Sequence, residues 1–453
     1  MPIVNKATPI RNFLYVMLFV GMLATIICGS DTFCSALEGA TDSSVIYTNV
    51  YSNGSGNVLI KITSPATTRY TEGAPVIIYI PATDMEPVTF SDNTYINSLG
   101  FITVEFLWPD HTTNIEGIDV TSEGVFDYGG QNTILALRDV VLFILGVTKN
   151  TDGFYISDIL SVTPLLSDVG IYAYSHTGME ATNLLARHGS AIKNLAYLVT
   201  MESPTEDKMF AMEVGNYDYQ GIPTYNPYYN YPNNYGSNGL NLDYTTLGWC
   251  VDVNLYPEGR PCFNSKTSNP FVLSSEFQTM FGKRVYSAPL TDALYKNVFI
   301  SGQWPLDVAT PDEAALLWSY RSVSRLYPLL VSMNLETKIM LVFTAHDHVQ
   351  TAKDKPHIHQ AYDGFHKTAG LWVRLNPDSS YMKLTDSSLN TSQIPDNDAN
   401  TEPTDWQFSE FWGYSTSVTT FNHKKPFAAI LEMADRVYMN DWSNNLQDVL
   451  VNY

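Results

Sequence analysis

Ser175 stands where an apolar, strand-like run passes directly into a helix-like one. Residues 169–181 are apolar at first and take on helical character from Thr177. A serine at such a corner is exposed, and the amides at the start of the helix point toward the reaction centre. The flanking residues depart from the motif G-x-S-x-G, since Ala173 and Thr177 replace its glycines and Gly178 comes one position late. The context therefore predicts a nucleophile at Ser175, although the motif itself does not match.

A group of histidines offers a competing chemistry. Five of the nine histidines fall between positions 346 and 366 with aspartates among them. On a strand, histidines separated by one residue lie on the same face, and such side chains bind zinc or copper. No cysteine joins them and their spacing matches no established metal motif, so no metal ligand is assigned. The weak candidates are His346, His348, His357 and His359.

Short apolar runs without alternation predict the elements that would hold these side chains. Runs of this kind are typical of strands buried on both faces, as in a parallel sheet. They cover residues 75–81, 101–107, 169–174, 194–200, 338–344 and 370–375, and an alternating hairpin is predicted at 45–51 and 57–63. Helical patterns lie between them, at residues 132–145, 177–188, 314–333 and 426–446. The alternation of strands and helices predicts an α/β fold with helices on both faces of the sheet.

Residues 203–310 interrupt this alternation. Within them, residues 216–249 are rich in Tyr, Asn, Pro and Gly. An irregular segment of this length is functional or disordered in most proteins. We expect an insertion that caps one end of the sheet, with a surface loop of no function as the alternative.

From about residue 45 to 450, apart from this insertion, the chain resembles the α/β-hydrolase superfamily, especially secreted esterases and dienelactone-hydrolase-like members. The run 75–81 resembles the third strand of that family, and 101–107 resembles the fourth. Ser175 takes the place of the nucleophile. The resemblance implies a mostly parallel sheet flanked by helices, a large Tyr/Asn-rich cap, and no cofactor.

The resemblance also implies the partners of Ser175. Asp347 occupies the acid's place after the run 338–344, where Thr344 replaces the usual glycine of G-x-x-D. His423 is the histidine of the loop 376–425 before the closing helix, at a late position that leaves its reach to Ser175 open. The backbone amides of Ala82 and His176 would form the oxyanion hole. The implied reaction is acyl transfer to water.

The N-terminus has the three-part pattern of an export signal. Lys6 and Arg11 precede an apolar stretch at 13–28, and small residues lead up to Ala36. We expect a signal peptide at 1–36 and a secreted or cell-surface protein, with an uncleaved membrane anchor as the alternative. Cys250 and Cys262 would then be the remaining cysteines, and export favours a disulfide between them.

Composition limits the partners. The 453 residues carry a formal net charge of −21, which argues against nucleic acid as a ligand. We expect a small-molecule or polymer ester substrate, and membrane contact only through an uncleaved N-terminal segment. The expected organisation is a core at 37–202 and 311–453 with a cap at 203–310. Two functions remain open at this point: an exported serine hydrolase, or an inactive hydrolase-like surface or binding protein, with metal binding through its histidines.

Overall fold

The computed structural model describes a large part of the chain, and all structural statements below concern that part. Its residues are 44–81, 90, 94–206, 211–217, 223–229, 235–236, 239–240, 242–264, 270–273, 278–280, 282–299, 304–343, 356–377, 381 and 418–443. They fall within one compact unit, Thr41–Tyr453. The expected signal peptide at 1–36, Ala82, and the segment with His346, Asp347 and His348 lie outside the described residues.

An eight-stranded sheet forms the centre of the described chain. Its strands are β1 (Ser44–Ser52), β2 (Gly56–Ser64), β3 (Ala74–Tyr79), β4 (Ile102–Phe106), β7 (Pro164–Tyr174), β8 (Tyr197–Met201), β18 (Lys338–Val342) and β19 (Val373–Leu375). They lie in the order β1-β2-β4-β3-β7-β8-β18-β19. The β1–β2 and β2–β4 pairs are antiparallel, and all later pairs in this order are parallel. The strands placed at 75–81 and 101–107 from the sequence are found as β3 and β4.

Helices cover both faces of this sheet. The helices of the described chain, not all of which lie on this sheet, are α1 (Thr94–Ser98), α2 (Gln131–Ile144), α3 (Ile156–Ile159), α4 (Thr177–His188), α5 (Ala211–Val214), α6 (Ala288–Asn297), α7 (Pro311–Arg321), α8 (Tyr327–Leu330), α9 (Pro356–Tyr362) and α10 (Val418–Met439). Alternate residues of β8 enter opposite cores: Leu198 packs in the cluster with α2, α4 and α9, and Val199 packs in the one with α10. This is the alternation that a strand buried on both faces requires. The α/β fold class expected from the sequence is therefore confirmed.

The remaining strands are short and antiparallel. They are β5 (Thr112–Ile115), β6 (Ile118–Thr121), β9 (Gly215–Tyr217), β10 (Pro223–Tyr225), β11 (Tyr235–Gly236), β12 (Gly239–Leu240), β13 (Leu247–Asp252), β14 (Tyr256–Phe263), β15 (Phe271–Val272), β16 (Gln278–Met280) and β17 (Lys283–Val285). Strands β13, β14 and β15 form one sheet, which packs with α6 around Phe263 in a separate apolar cluster. The predicted disulfide between Cys250 and Cys262 is present and joins β13 to β14, with the Cα atoms 5.8 Å apart. The bounds of the cap, 203–310, stay a prediction.

Two helix predictions were wrong at their ends. The helix expected at 314–333 is split, because α7 ends before Ser322 and the amides of Val323 and Ser324 bond instead to the carbonyl oxygen of Thr205. The helix expected to begin at Pro426 begins at Val418, with the proline inside it. A proline removes one backbone donor but does not prevent helical residues before it.

His423 therefore lies in helix α10 and not in a loop before the closing helix. Only its backbone belongs to the described part of the chain. No helix among the described residues is both long enough and apolar enough to span a membrane.

Candidate active site

Ser175 lies between the last residue of β7 and the first residue of α4, at the corner expected from the sequence. Its φ is +53°, in the left-handed region that residues other than glycine rarely adopt. The residue is half-buried. A left-handed serine at a strand–helix corner is held there by its surroundings against local strain, and such strain is concentrated at functional sites.

Short hydrogen bonds hold this corner. The amide of Ser175 donates to the carbonyl oxygen of Met201 at the end of β8 (2.8 Å), and the amide of Gly178 donates to the carbonyl oxygen of Ser175 (3.1 Å). The hydroxyl of Thr177 donates to the carbonyl oxygen of Tyr174 (2.9 Å). Thr177 therefore stabilises the turn at a position where the motif would have glycine.

Gly178 provides the close approach that the motif assigns to a glycine one position earlier. A Cβ on Gly178 would lie 2.1 Å from Ser203 Oγ and 2.4 Å from Ser203 Cβ. No real Cβ contact is that short, so the first turn of α4 can pack against the segment after β8 because residue 178 has no side chain. The late glycine in the sequence is thus in the place where the structure needs one.

His176 lies at the start of α4 as its N-cap residue. The first backbone amides of a helix have no partner within the helix, and the helix dipole makes this end electropositive. The amide of His176 is thus in the part of the structure where an anion next to Ser175 would be stabilised. The oxyanion role expected for the amides of His176 and Ala82 stays a prediction, since Ala82 is outside the described residues.

Asp347 and His423 are not brought to Ser175 by any described contact. Asp347 lies in the segment 344–355, which is outside the described residues. Of His423, only the backbone is described. The triad of Ser175, Asp347 and His423 therefore stays a prediction.

The structure places a different histidine near the corner. Nε2 of His357 lies 2.9 Å from Oε2 of Glu202, and both side chains are almost fully buried. Glu202 directly follows Met201, whose carbonyl oxygen accepts the bond from Ser175. The sequence analysis missed Glu202, since nothing in a single sequence links residues 155 positions apart.

The strand geometry expected for His357 and His359 was wrong. Both lie on α9, where residues two apart point about 200° away from each other. Burial lowers the pKa of His359 to about 4. Among the described residues, no three His, Cys, Asp or Glu side chains are grouped so that they could hold a metal ion.

Asp168 is a second ionisable residue that the sequence analysis missed. It lies in β7, is buried, and neither carboxylate oxygen has a hydrogen-bond partner among the described residues. The pKa of Asp168 is raised to about 8, chiefly by burial and then by the charge of Asp435, while Arg69 acts in the opposite direction. The apolar run in the sequence begins at residue 169, one position after Asp168, whereas β7 begins at Pro164.

Three examples show the kinds of solved structure to which this chain is similar. A fungal esterase from Rhizomucor miehei matches 38% of this chain and 48% of its own, at 12% identity and a TM-score of 0.26. The acylaminoacyl peptidase of Pyrococcus horikoshii matches 75% of this chain and 37% of its own, at 10% identity and a TM-score of 0.35. Carboxyl esterase 2 of Tuber melanosporum matches 75% and 77%, at 11% identity and a TM-score of 0.36.

This chain spans less than half the length of the first two structures. No family model matches the sequence, and no curated protein matches it either.

Proposed function

We propose that this protein is a serine hydrolase that cleaves an ester bond, and less readily an amide bond, with Ser175 as its nucleophile. The observation that carries this proposal is the left-handed φ of Ser175 at the corner between β7 and α4. The strand order around β7 and the half-buried position of Ser175 support it. A strained serine directly before a helix N-terminus has the geometry required to attack a carbonyl carbon.

The chemistry would proceed through an acyl-enzyme. His423 would take the proton of Ser175 as the hydroxyl attacks and would then donate it to the leaving alcohol. In the second half, His423 would take a proton from the water that attacks the acyl carbon and return it to the oxygen of Ser175 as the carboxylic acid leaves. Asp347 would fix the imidazole tautomer and stabilise its charged form. The amides of His176 and Ala82 would stabilise the tetrahedral oxyanion, at about 3–4 kcal/mol for each donor.

The substrate would enter beside the cap. Aromatic side chains cluster in the described part of the insertion, where Tyr228 and Tyr244 pack near Phe263 with ring centroids 5.9 Å away in each case. We propose that tyrosines of this insertion form a wall of the acyl or alcohol pocket. The net charge of −21 favours neutral or cationic substrates over anionic ones. We propose that the protein is exported, and the disulfide supports this because such bonds persist in oxidising environments outside the cytosol.

Hydrolysis of p-nitrophenyl esters of increasing acyl length by the full chain tests this function. Ser175→Ala should lower kcat at least about 10³-fold, because no other group replaces the nucleophile. Ser167→Ala is the matched control, since Ser167 is an exposed serine on the same strand. Equal rates for the Ser175→Ala variant and the wild type would overturn the assignment. A parallel series of p-nitroanilides measures the preference for esters over amides.

A further inference from the structure

We propose that Glu202 and His357 are positioning residues that hold the corner at Ser175 in its reactive conformation. This inference rests on the proposed function, because it assigns the pair a role in the reactivity of Ser175. A buried hydrogen-bonded pair and a backbone linkage carry it, and both lie entirely within the described residues.

The side chains of the pair are anchored in the interior. The Nε2–Oε2 distance is 2.9 Å, and the exposed fractions of the His357 and Glu202 side chains are 4% and 1%. A hydrogen bond to a buried carboxyl group is costly to lose, so the position of the Glu202 side chain is tied to that of His357. Helix α9 thereby fixes the side chain of Glu202.

The peptide group between Met201 and Glu202 transmits this constraint to Ser175. Its carbonyl oxygen accepts the amide of Ser175 at 2.8 Å, and its N–H donates to the carbonyl oxygen of Val342 at 2.9 Å. One rigid peptide plane therefore joins the ends of β7, β8 and β18. Any rotation of this plane would break the hydrogen bond to Ser175.

The backbone of Glu202 is itself strained. Its φ is +47°, close to the +53° of Ser175. A glutamate in this region returns to ordinary backbone angles unless its surroundings hold it there. The two left-handed residues are linked through Met201, so the anchored side chain of Glu202 stabilises both conformations.

A second set of contacts fastens the same segment to α9. The hydroxyl of Thr205 donates to Oε1 of Gln360 (2.5 Å), and Nε2 of Gln360 donates to Oε1 of Glu206 (3.1 Å). Segment 202–206 and α9 are thus joined at three side chains. Gln360 offers a milder way to loosen the connection than removal of either member of the buried pair.

The test compares Glu202→Ala, His357→Ala, Gln360→Ala and Glu202→Gln in the full chain. The readouts are kcat and KM for p-nitrophenyl acetate, the rate of Ser175 labelling by a fluorophosphonate, and amide hydrogen exchange in residues 171–179. The matched control is Glu105→Ala, which breaks the buried ion pair between Lys61 and Glu105 on β2 and β4 (3.4 Å), two strands that lie away from Ser175 in the sheet.

We expect Glu202→Ala and His357→Ala to lower kcat and the labelling rate roughly 10- to 100-fold, because displacement of a reacting atom by about 1 Å has effects of this size. KM should change less than about 2-fold, because the proposed role concerns the conformation of Ser175 and not the binding of substrate. Exchange in 171–179 should accelerate, and Gln360→Ala should show the same changes to a smaller extent. Glu202→Gln keeps an acceptor of the same shape, so it should stay within about 3-fold of the wild type.

If Glu202→Ala had the same kcat and the same amide hydrogen exchange in residues 171–179 as the wild type, the positioning role would be overturned. It would also be overturned by a loss in Glu202→Gln equal to that in Glu202→Ala, since a required charge is not a positioning effect, or by an equal loss in Glu105→Ala. A folded wild type that the fluorophosphonate does not label would instead refute the proposed function. The exchange comparison would then still show whether the pair holds the corner.

Discussion

Gly178 and Ser203 are in closer contact than any residue with a side chain at position 178 would allow. A Cβ on Gly178 would lie 2.1 Å from the hydroxyl oxygen of Ser203. Gly178 lies in the first turn of α4, and Ser203 follows β8. This contact sets how closely the helix that begins beside Ser175 approaches the sheet.

Gly178→Ala should therefore lower both stability and activity. Overpacking at such a site costs about 1–3 kcal/mol, although alanine gains roughly 1 kcal/mol from its helix propensity. We expect the free energy of unfolding to fall by up to about 2 kcal/mol in urea titrations. The rate of ester hydrolysis should fall as α4 shifts away from the corner.

The double variant Gly178→Ala/Ser203→Gly provides the control for this steric account. Ser203→Gly removes both atoms that lie within 3 Å of the added Cβ. The double variant should recover most of the activity that Gly178→Ala loses, with a coupling energy of about 1 kcal/mol or more in the mutant cycle. Additive losses in the two variants would show that the contact does not govern the corner.

Asp168 should make the protein less stable as pH rises. Its pKa is about 8 in the folded chain and about 3.9 in an unfolded one. Between these values the folded state binds the proton and the unfolded state does not, so the free energy of unfolding falls from about pH 4 to pH 8. Asp168→Asn should remove this loss and stabilise the protein by about 2–4 kcal/mol at pH 8, with little effect at pH 4.

Urea titrations of the wild type and Asp168→Asn at pH 4, 6 and 8 measure this difference directly. Asp152→Asn is the control, because Asp152 is exposed and its replacement should shift stability by less than about 0.5 kcal/mol at every pH. A stabilisation by Asp168→Asn that does not grow with pH would contradict the protonated, buried state of Asp168.

The disulfide between Cys250 and Cys262 should stabilise the cap more than the sheet. It spans 12 positions, and closing a loop of that length contributes roughly 3 kcal/mol. The variant Cys250→Ser/Cys262→Ser should be cleaved sooner by a protease within β13–β15, while peptides from β7 and β8 keep their slow hydrogen exchange. A reductant should speed protease cleavage of the wild type and leave cleavage of the variant unchanged. Equal cleavage rates of the two proteins without reductant would contradict a stabilising role of the disulfide.

His423→Ala tests the predicted base. Without a base the serine keeps its proton, and kcat should fall about 10³-fold or more. Asp347→Asn should cause a smaller loss and shift the pH–rate profile, because the imidazole loses its orienting carboxylate. His366→Gln is the control, since Nδ1 of His366 lies 3.1 Å from the carbonyl oxygen of Leu371 and no role in the reaction is proposed for this histidine. Full activity in His423→Ala would remove His423 from the mechanism.

The sequence predicted the framework of the site well because that framework is encoded locally. Apolar runs identified β3, β4 and β7, and the direct passage from β7 into α4 identified Ser175. Gly178 lies three residues after Ser175, and the motif G-x-S-x-G places its glycine two residues after the serine, so the sequence indicates a departure from the motif. In the structure the close approach to the sheet falls on Gly178, while Thr177 bonds back to β7.

The contacts that could not be predicted join distant parts of the chain. Glu202 and His357 meet only because β8 and β18 are neighbours in the sheet and α9 returns over it. The geometry of His357 and His359 depended on whether residues 356–362 form a strand or a helix, and a seven-residue segment does not show this by periodicity. Pro426 was taken as a helix start because proline is common there, but the preceding residues are helical too.

The most direct test of the central claim is the stoichiometry and location of fluorophosphonate labelling in the full chain, read by mass spectrometry. Such a probe reacts with an activated serine and not with serines at large. The account predicts close to one label per molecule, on the peptide that contains Ser175, and none in Ser175→Ala. A folded protein that takes up no label, or one labelled elsewhere at an undiminished rate in Ser175→Ala, would contradict it.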